Sequence, residues 1–270
     1  MPHRIRHALR TATVLVFSLQ GCGPGESPDR IDEVAADDPP MALADRLAAG
    51  QSVFGIFSGP MTREQGEVIA GLREADFVLY SLESGPFDLD TMDAYLEGLR
   101  AGAEERGVPP QPVLLRVPPI HADTAAAPDH VARAMERDIG GIVYPHVTSP
   151  EEAARSVRYL GEPWPLGDDG LDVLIVEDRE GVANIRAIMA TPGLSVVFAG
   201  PGDLTRAYDG DMQAVENAIQ TVLSACLEFE VACGVTAGTD DIGTRLDQGF
   251  RVIIVTEEPA LAVGRRHVGR

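Results

Sequence analysis

From residue 50 onward, short apolar runs alternate with stretches whose apolar positions recur at helical spacing. The runs are Ser52–Phe57, Phe77–Leu82, Pro112–Val117, Gly141–Val147, Asp172–Glu177, Ser195–Ala199, Ala232–Thr236 and Val252–Thr256. Consecutive apolar positions mean that both faces of each strand are buried, as in a parallel sheet covered by helices. Between the runs, the spacing predicts helices over 62–73, 88–106, 128–137, 149–159, 180–190, 212–230, 240–248 and 257–266. Thr62, Ser149 and Thr239 stand where N-caps stand, and Pro150 at a first helical position. This alternation predicts an α/β protein, and eight such units predict a closed TIM (β/α)8 barrel. An open doubly wound sheet is the other arrangement. The first strand–helix junction, "FSGPMTREQ", carries no GxGxxG, which speaks against a dinucleotide fold.

Length agrees with the barrel: such a domain takes about 250 residues, and the chain has 270. Hydrophobic content of 44% and charged content of 24% are those of an ordinary globular protein. A net charge of −20 argues against nucleic acid as a partner, and against binding to anionic lipid by charge alone. All 22 basic residues are Arg. Without Lys there is no Schiff-base aldolase, no pyridoxal phosphate enzyme and no P-loop. Carbonyl chemistry in this chain therefore falls to a metal or to hydrogen bonds. Cys22, Cys226 and Cys233 make neither a zinc ribbon nor a disulfide framework, and the last two read as small buried residues.

The first residues form a basic segment with Arg4, Arg6 and Arg10, an apolar run Ala12–Leu19, and then "LQGC". The run is too short to span a bilayer. Residues 1–21 read as a bacterial lipoprotein-type signal peptide, with Cys22 as the lipidated first residue. Residues 22–40 are rich in Gly, Pro and acid and read as a flexible tether, leaving 41–270 as the folded domain. The expected protein is extracytoplasmic and touches the membrane only through its lipid anchor. The alternative is a cytoplasmic protein whose translation starts at Met41.

In a TIM barrel the chemistry sits at the C-terminal ends of the strands. Read in order, those ends offer Ser81, Glu83 and Ser84, then Arg116, His146, Glu177, Asp203, and Thr236 with Thr239. Glu177 and Asp203 end neighbouring strands and could share a hard divalent cation, Mg²⁺ or Mn²⁺. Arg116 could clamp a carboxylate as a two-pronged donor. The "GPGD" stretch at 200–203 offers backbone N–H groups, and its glycines admit a ligand. Metal, Arg and amides together suit a 2-oxo acid, whose enolate the ion would stabilise. The bland alternative is that acids at strand ends only cap the following helices.

These residues, in this order, resemble the HpcH/HpaI aldolases, metal-dependent class II enzymes that act on 2-oxo acids through a pyruvate enolate. The resemblance covers about residues 41–260, through "LADRLAAGQSVFGIFSG", "ADFVLYSLESGP", "VLLRVPP", "RDIGGIVYPHVTSPEEA", "VLIVEDREGVANI" and "VFAGPGDLT". It implies a barrel of the phosphoenolpyruvate/pyruvate-binding type, with a pyruvate-like acid and an aldehyde as substrates. It makes Glu177 and Asp203 the metal ligands and Arg116 the residue that contacts the oxo acid. It assigns the Gly202 and Asp203 amides to the substrate carboxylate, and Asp138 to the role of partner for a catalytic His. It also implies a homo-oligomer, although little chain follows the last helix for the C-terminal exchange seen in the family.

Three departures stand out. Where the family carries Asp-Gly-Glu-His, this chain reads Ser81-Leu82-Glu83-Ser84, so Ser84, at the substrate-facing edge, replaces the acid/base His. A hydroxyl accepts no proton near neutral pH without a partner base. The usual Gln two residues before the metal Glu is Ile175, and the loop before strand five is cut to "GEPWPLGDDG". His146 is the candidate replacement acid/base, and His121 a second; the other reading of both is a surface or packing histidine. Three functions follow: a metal-dependent carbon–carbon lyase (aldolase or oxaloacetate-type decarboxylase), a catalytically degenerate anchored protein that binds an oxo acid or a partner, and a barrel without a site.

Overall fold

The computed structural model describes residues 41–160 and 170–270. The expected signal peptide (1–21), the tether (22–40) and most of the shortened loop (161–169) lie outside the described residues.

Eight parallel strands close on themselves in chain order. They are β1 (Val53–Phe57), β2 (Phe77–Ser81), β3 (Val113–Arg116), β4 (Gly141–Tyr144), β5 (Leu171–Val176), β6 (Val196–Ala199), β7 (Ala232–Ala237) and β8 (Val252–Val255). The decisive pairing is β1 with β8, Gly55 beside Ile254, which an open sheet would lack. The described helices are α1 (Leu43–Ala48), α2 (Arg63–Ile69), α3 (Leu89–Glu105), α4 (Ala127–Met135), α5 (Pro150–Leu160), α6 (Arg179–Ala183), α7 (Ile185–Met189), α8 (Pro201–Ala207), α9 (Met212–Phe229), α10 (Ile242–Gln248) and α11 (Pro259–His267). All eight expected strands are present within a few residues of their expected limits.

Alternation along each strand divides the core in two. Val53, Phe77, Leu79, Leu114, Val143, Val173, Ile175, Val196, Phe198 and Ile254 form one cluster, the packed interior of the barrel. Val78, Tyr80, Leu115, Ile142, Tyr144, Leu174, Val176, Val197 and Ile253 belong to the other, between strands and helices. Gly55 makes this packing possible: a Cβ there would overlap the Phe77 ring that fills the interior beside it. With the interior solid, only the residues beyond its last layer reach solvent at the mouth.

Several local expectations need correction. Thr62 does cap α2, its side chain accepting from the Gln65 amide, and Pro150 does open α5. Thr239 does not cap α10: its hydroxyl and amide bind Glu257, and Asp241 precedes the helix and accepts from the Gly238 amide. The helix expected over 180–190 is two short ones, broken at Asn184, whose side chain donates to the Thr148 carbonyl. The spacing predicts no helix between 190 and 212, but Pro201–Ala207 form α8, with Pro201 in its first turn. Cys226 and Cys233 are buried as expected, yet they are joined in a disulfide that ties the end of α9 to the start of β7, with Cα atoms 5.6 Å apart.

Candidate active site

The same alternation that fills the barrel aims the site. Phe77 and Leu79 point inward, so Ser81 does too; Leu114 carries Arg116 inward, and Val173 and Ile175 carry Glu177 inward. Ser81 and Arg116 are register partners on β2 and β3. Arg116 Nε donates to Ser81 Oγ at 2.9 Å, and its NH2 pairs with Glu83 Oε2 at 3.0 Å. The other Glu83 oxygen lies 3.5 Å from His146 Nε2.

His146 departs from the alternation. Val143 points into the barrel and Tyr144 out of it, so strict parity would turn His146 outward. Instead its backbone is left-handed, with φ 53°, and the ring lies at the mouth. That conformation costs about 1–2 kcal/mol for a residue with a Cβ. Two contacts hold it: the His146 amide donates to Glu177 Oε1 at 3.1 Å, and Nδ1 lies 2.9 Å from Asp178 Oδ2.

Glu177 is 2% exposed. Its Oε2 accepts no hydrogen bond among the described residues and lies over Gly200, where any Cβ would collide with it. Burial, with the charges of Asp203 and Glu83, pushes the Glu177 carboxyl up to about 7 against the pull of His146. Burial would lower the His146 imidazole, but the hydrogen bond to Asp178 and the charges of Glu177, Asp178 and Asp203 outweigh it and hold the pKa above its usual value. Carboxylates gathered so closely repel one another, and a cation would relieve that repulsion. Ligand atoms of Glu83, His146 and Glu177 all lie within 4.8 Å of one another, so these residues could hold a metal ion.

The other expected residues fall less evenly. Asp203 sits in the first turn of α8, its carboxylate engaged by Arg206, and it is not among the three clustered ligands. Its charge is nonetheless felt by both Glu177 and His146. Gly202 faces open space. Ser84 is exposed, beyond the end of β2. Asp138 is exposed in the segment that enters β4, at the N-terminal end of the barrel, and is not brought to the cluster. His121 is exposed and contacts Glu152, a buried residue that also accepts from the Thr148 amide.

Sequence reasoning named Glu83 only as a strand-end residue and did not see Asp178 as the partner of His146. Its one available signal was adjacency: Asp178 directly follows Glu177, and such a residue reads first as a helix cap.

A barrel with a buried Glu and an inward Arg at its mouth is common to many enzymes, so the family rests on the sequence match. Residues 60–258 match the model of the HpcH/HpaI aldolase/citrate lyase family. The chain belongs to this family. A hydroxypyruvate/pyruvate aldolase of Paraburkholderia phytofirmans is 24% identical over 248 residues, 80% of this chain and 91% of the relative. A 5-keto-4-deoxy-D-glucarate aldolase of Salmonella paratyphi C is 27% identical over 241 residues, 77% of this chain and 87% of the relative. The crystal structure of an HpcH/HpaI aldolase/citrate lyase family protein from Burkholderia cenocepacia shares the fold, with a TM-score of 0.67 at 23% identity, covering 84% of this chain and 97% of that one. Within the HpcH/HpaI family, then, this chain places a histidine between the site's carboxylates and a serine at the lip of β2.

Proposed function

We propose that the protein is a metal-dependent carbon–carbon lyase acting on a small 2-oxo acid, with decarboxylation of an oxaloacetate-type substrate favoured over aldol cleavage. The observation that carries this reading is the buried Glu177, whose Oε2 accepts no hydrogen bond among the described residues, at the mouth of a barrel of this family and beside Glu83, which pairs with Arg116. The named relatives, aldolases of pyruvate-type and keto-sugar-acid substrates, support the substrate class.

Glu177, with Asp203, is assigned to a divalent cation, Mg²⁺ or Mn²⁺. The ion would supply Lewis acidity for the charge that develops on the 2-oxo oxygen. Arg116 is already braced by Ser81 and Glu83, and its remaining N–H groups are free to clamp the substrate carboxylate with its planar fork. The Gly202 and Asp203 amides open α8 and have no carbonyl within the helix to bind, so they suit the same carboxylate. Decarboxylation breaks the bond to the leaving CO₂ and leaves its electron pair on the enolate, which solvent then protonates. No hydroxyl proton has to be removed. Aldol cleavage does require that step, and Ser84 cannot perform it.

Loss of a general base costs about 10²–10⁴-fold, so cleavage of a 4-hydroxy-2-oxo acid should be slower than oxaloacetate decarboxylation by a margin of that order. Assaying both reactions with added Mg²⁺ or Mn²⁺, and again with chelator, tests the proposal. Decarboxylation that persists at full rate in chelator would refute it.

Residues 1–21 and 22–40 are assigned to export and tethering. The Cys226–Cys233 disulfide supports that assignment, since such bonds persist in oxidising compartments.

A further inference from the structure

The segment between β4 and α5, one wall of the mouth, is held by more hydrogen bonds than a helix start needs. Ser149 caps α5, its hydroxyl accepting from the Glu152 amide at 3.2 Å. In a capping box the acid at this position reaches back to the amide of the cap itself. Glu152 reaches one residue further: its Oε2 accepts from the Thr148 amide at 2.8 Å and from the Thr148 hydroxyl at 3.2 Å. Its Oε1 lies 3.1 Å from Nδ1 of His121, in the loop after β3. Glu152 is 5% exposed, and a carboxylate is buried that deeply only where donors meet it.

Thr148 is gripped from another side as well. Its carbonyl accepts from Asn184 Nδ2 at 2.9 Å, at the break between α6 and α7. One residue earlier, the Val147 amide donates to the Ile175 carbonyl on β5 at 3.0 Å. Gly181 of α6 packs so closely that a Cβ there would overlap the Val147 carbonyl. The next residue back is His146, whose amide donates to Glu177 Oε1. That bond decides which Glu177 oxygen is spare. With Oε1 held, Oε2 lies over Gly200, at the start of the helix that carries Asp203.

We propose that Glu152 is a positioning residue for the ion site: through Thr148 it fixes the His146 amide, and through that amide it turns Glu177 Oε2 towards the start of α8. The inference rests on the Glu177 and Asp203 reading above and adds the residue that holds it in place. Backbone conformation gives the link its leverage. At φ 53°, His146 is in a conformation that a residue with a Cβ leaves unless its neighbours hold it. Pinning Thr148 removes the slack through which that turn would relax, and relaxation would swing the amide off Glu177. The helix itself does not need the Glu152 side chain, because Ser149 and Pro150 already start it.

The test titrates Mn²⁺ into the whole protein by calorimetry, with urea unfolding in chelator alongside. Glu152→Leu keeps the volume, removes the acceptors and should weaken Mn²⁺ binding by about tenfold or more. Asn184→Ala frees Thr148 from the other side without touching α5, and should weaken it by about 2–10-fold. It carries the test if Glu152→Leu does not fold. Glu152→Gln retains an oxygen that can accept from Thr148 and should keep most of the wild-type affinity. A residue that serves only the fold would lower the urea midpoint and leave the folded protein's Mn²⁺ affinity alone. Wild-type affinity in Asn184→Ala and in folded Glu152→Leu would therefore overturn the inference and leave the metal-dependent reading intact. Equal losses in Glu152→Leu and Glu152→Gln would also overturn it, by tying the effect to charge. A wild type that binds no Mn²⁺ would overturn both.

Discussion

Asp178 lies directly behind His146: its Oδ2 is 2.9 Å from the imidazole Nδ1, while its chain neighbour Glu177 accepts the His146 amide at 3.1 Å. One dipeptide at the end of β5 thus fixes both the backbone and the ring of a residue at the end of β4. Alternation explains how: Glu177 points into the mouth, the next residue stands to its side, and together they straddle His146. A left-handed residue that would be strained elsewhere becomes a rigid part of the site.

Ser84→His should restore cleavage more than decarboxylation. Ser84 is exposed at the lip of β2, so an imidazole fits without disturbing the core. Recovery of part of the roughly 10²–10⁴-fold contribution of a general base is expected in cleavage, with decarboxylation little changed. Initial rates of both reactions on one preparation measure this. Equal gains in the two would show that Ser84 does not set the balance between them.

Arg116→Lys should raise KM for the oxo acid. Arg116 reaches both Ser81 and Glu83 because its guanidinium is forked, and an ammonium cannot hold both and clamp a carboxylate. Losing charge-assisted hydrogen bonds of about 1.5–3 kcal/mol corresponds to a loss of about 10–150-fold in substrate affinity. Steady-state kinetics should show that loss while metal affinity holds.

Asp172 should make the fold less stable as pH rises. It lies on β5 facing α5, 2% exposed, and burial pushes its carboxyl up to about 8. One oxygen accepts from Ser156 Oγ, and the other has no partner among the described residues. Between its ordinary value of 3.8 and about 8, the unfolded chain releases the proton and the folded one keeps it. In that window the unfolded state binds fewer protons, so this group's contribution falls with pH by up to about 1.4 kcal/mol per unit. Below that window the penalty is absent. Urea unfolding from pH 5 to 8 should show the slope in the wild type and a flatter profile in Asp172→Asn.

The Cys226–Cys233 bond closes a short segment, with a sequence separation of 7. Loop-closure entropy puts its contribution at about 2–3 kcal/mol. Cys226→Ala with Cys233→Ala should lose about that much in denaturant unfolding, with little effect on ion binding, because the bond lies outside the site.

The barrel was legible because buried parallel strands write themselves as continuous apolar runs, and Val252–Val255 against Val53 is such a run closing on the first. Glu177 and Arg116 were legible for the same reason: they end strands whose parity is regular. His146 was read at the end of its strand, but the left-handed backbone that turns it to the mouth was not, because no periodicity reports it. Glu83 was named at the end of β2, but its pairing with Arg116 was not, because alternation stops in the loop that follows the strand. The disulfide was missed because a helix end and a strand start, close in sequence, were read as separate elements rather than as neighbours in space. Short α8 was missed because seven residues opening on Gly and Pro carry too little helical periodicity to register, although Pro is well suited to a first helical turn.

The central claim is that a divalent ion and a 2-oxo acid meet at Glu177 and Arg116. Calorimetric titration of pyruvate into the protein, first with chelator and then with saturating Mn²⁺, tests it most directly. The account predicts binding only with the ion present, lost in Glu177→Gln. Pyruvate binding of equal strength in chelator, or no binding in either state, would contradict it.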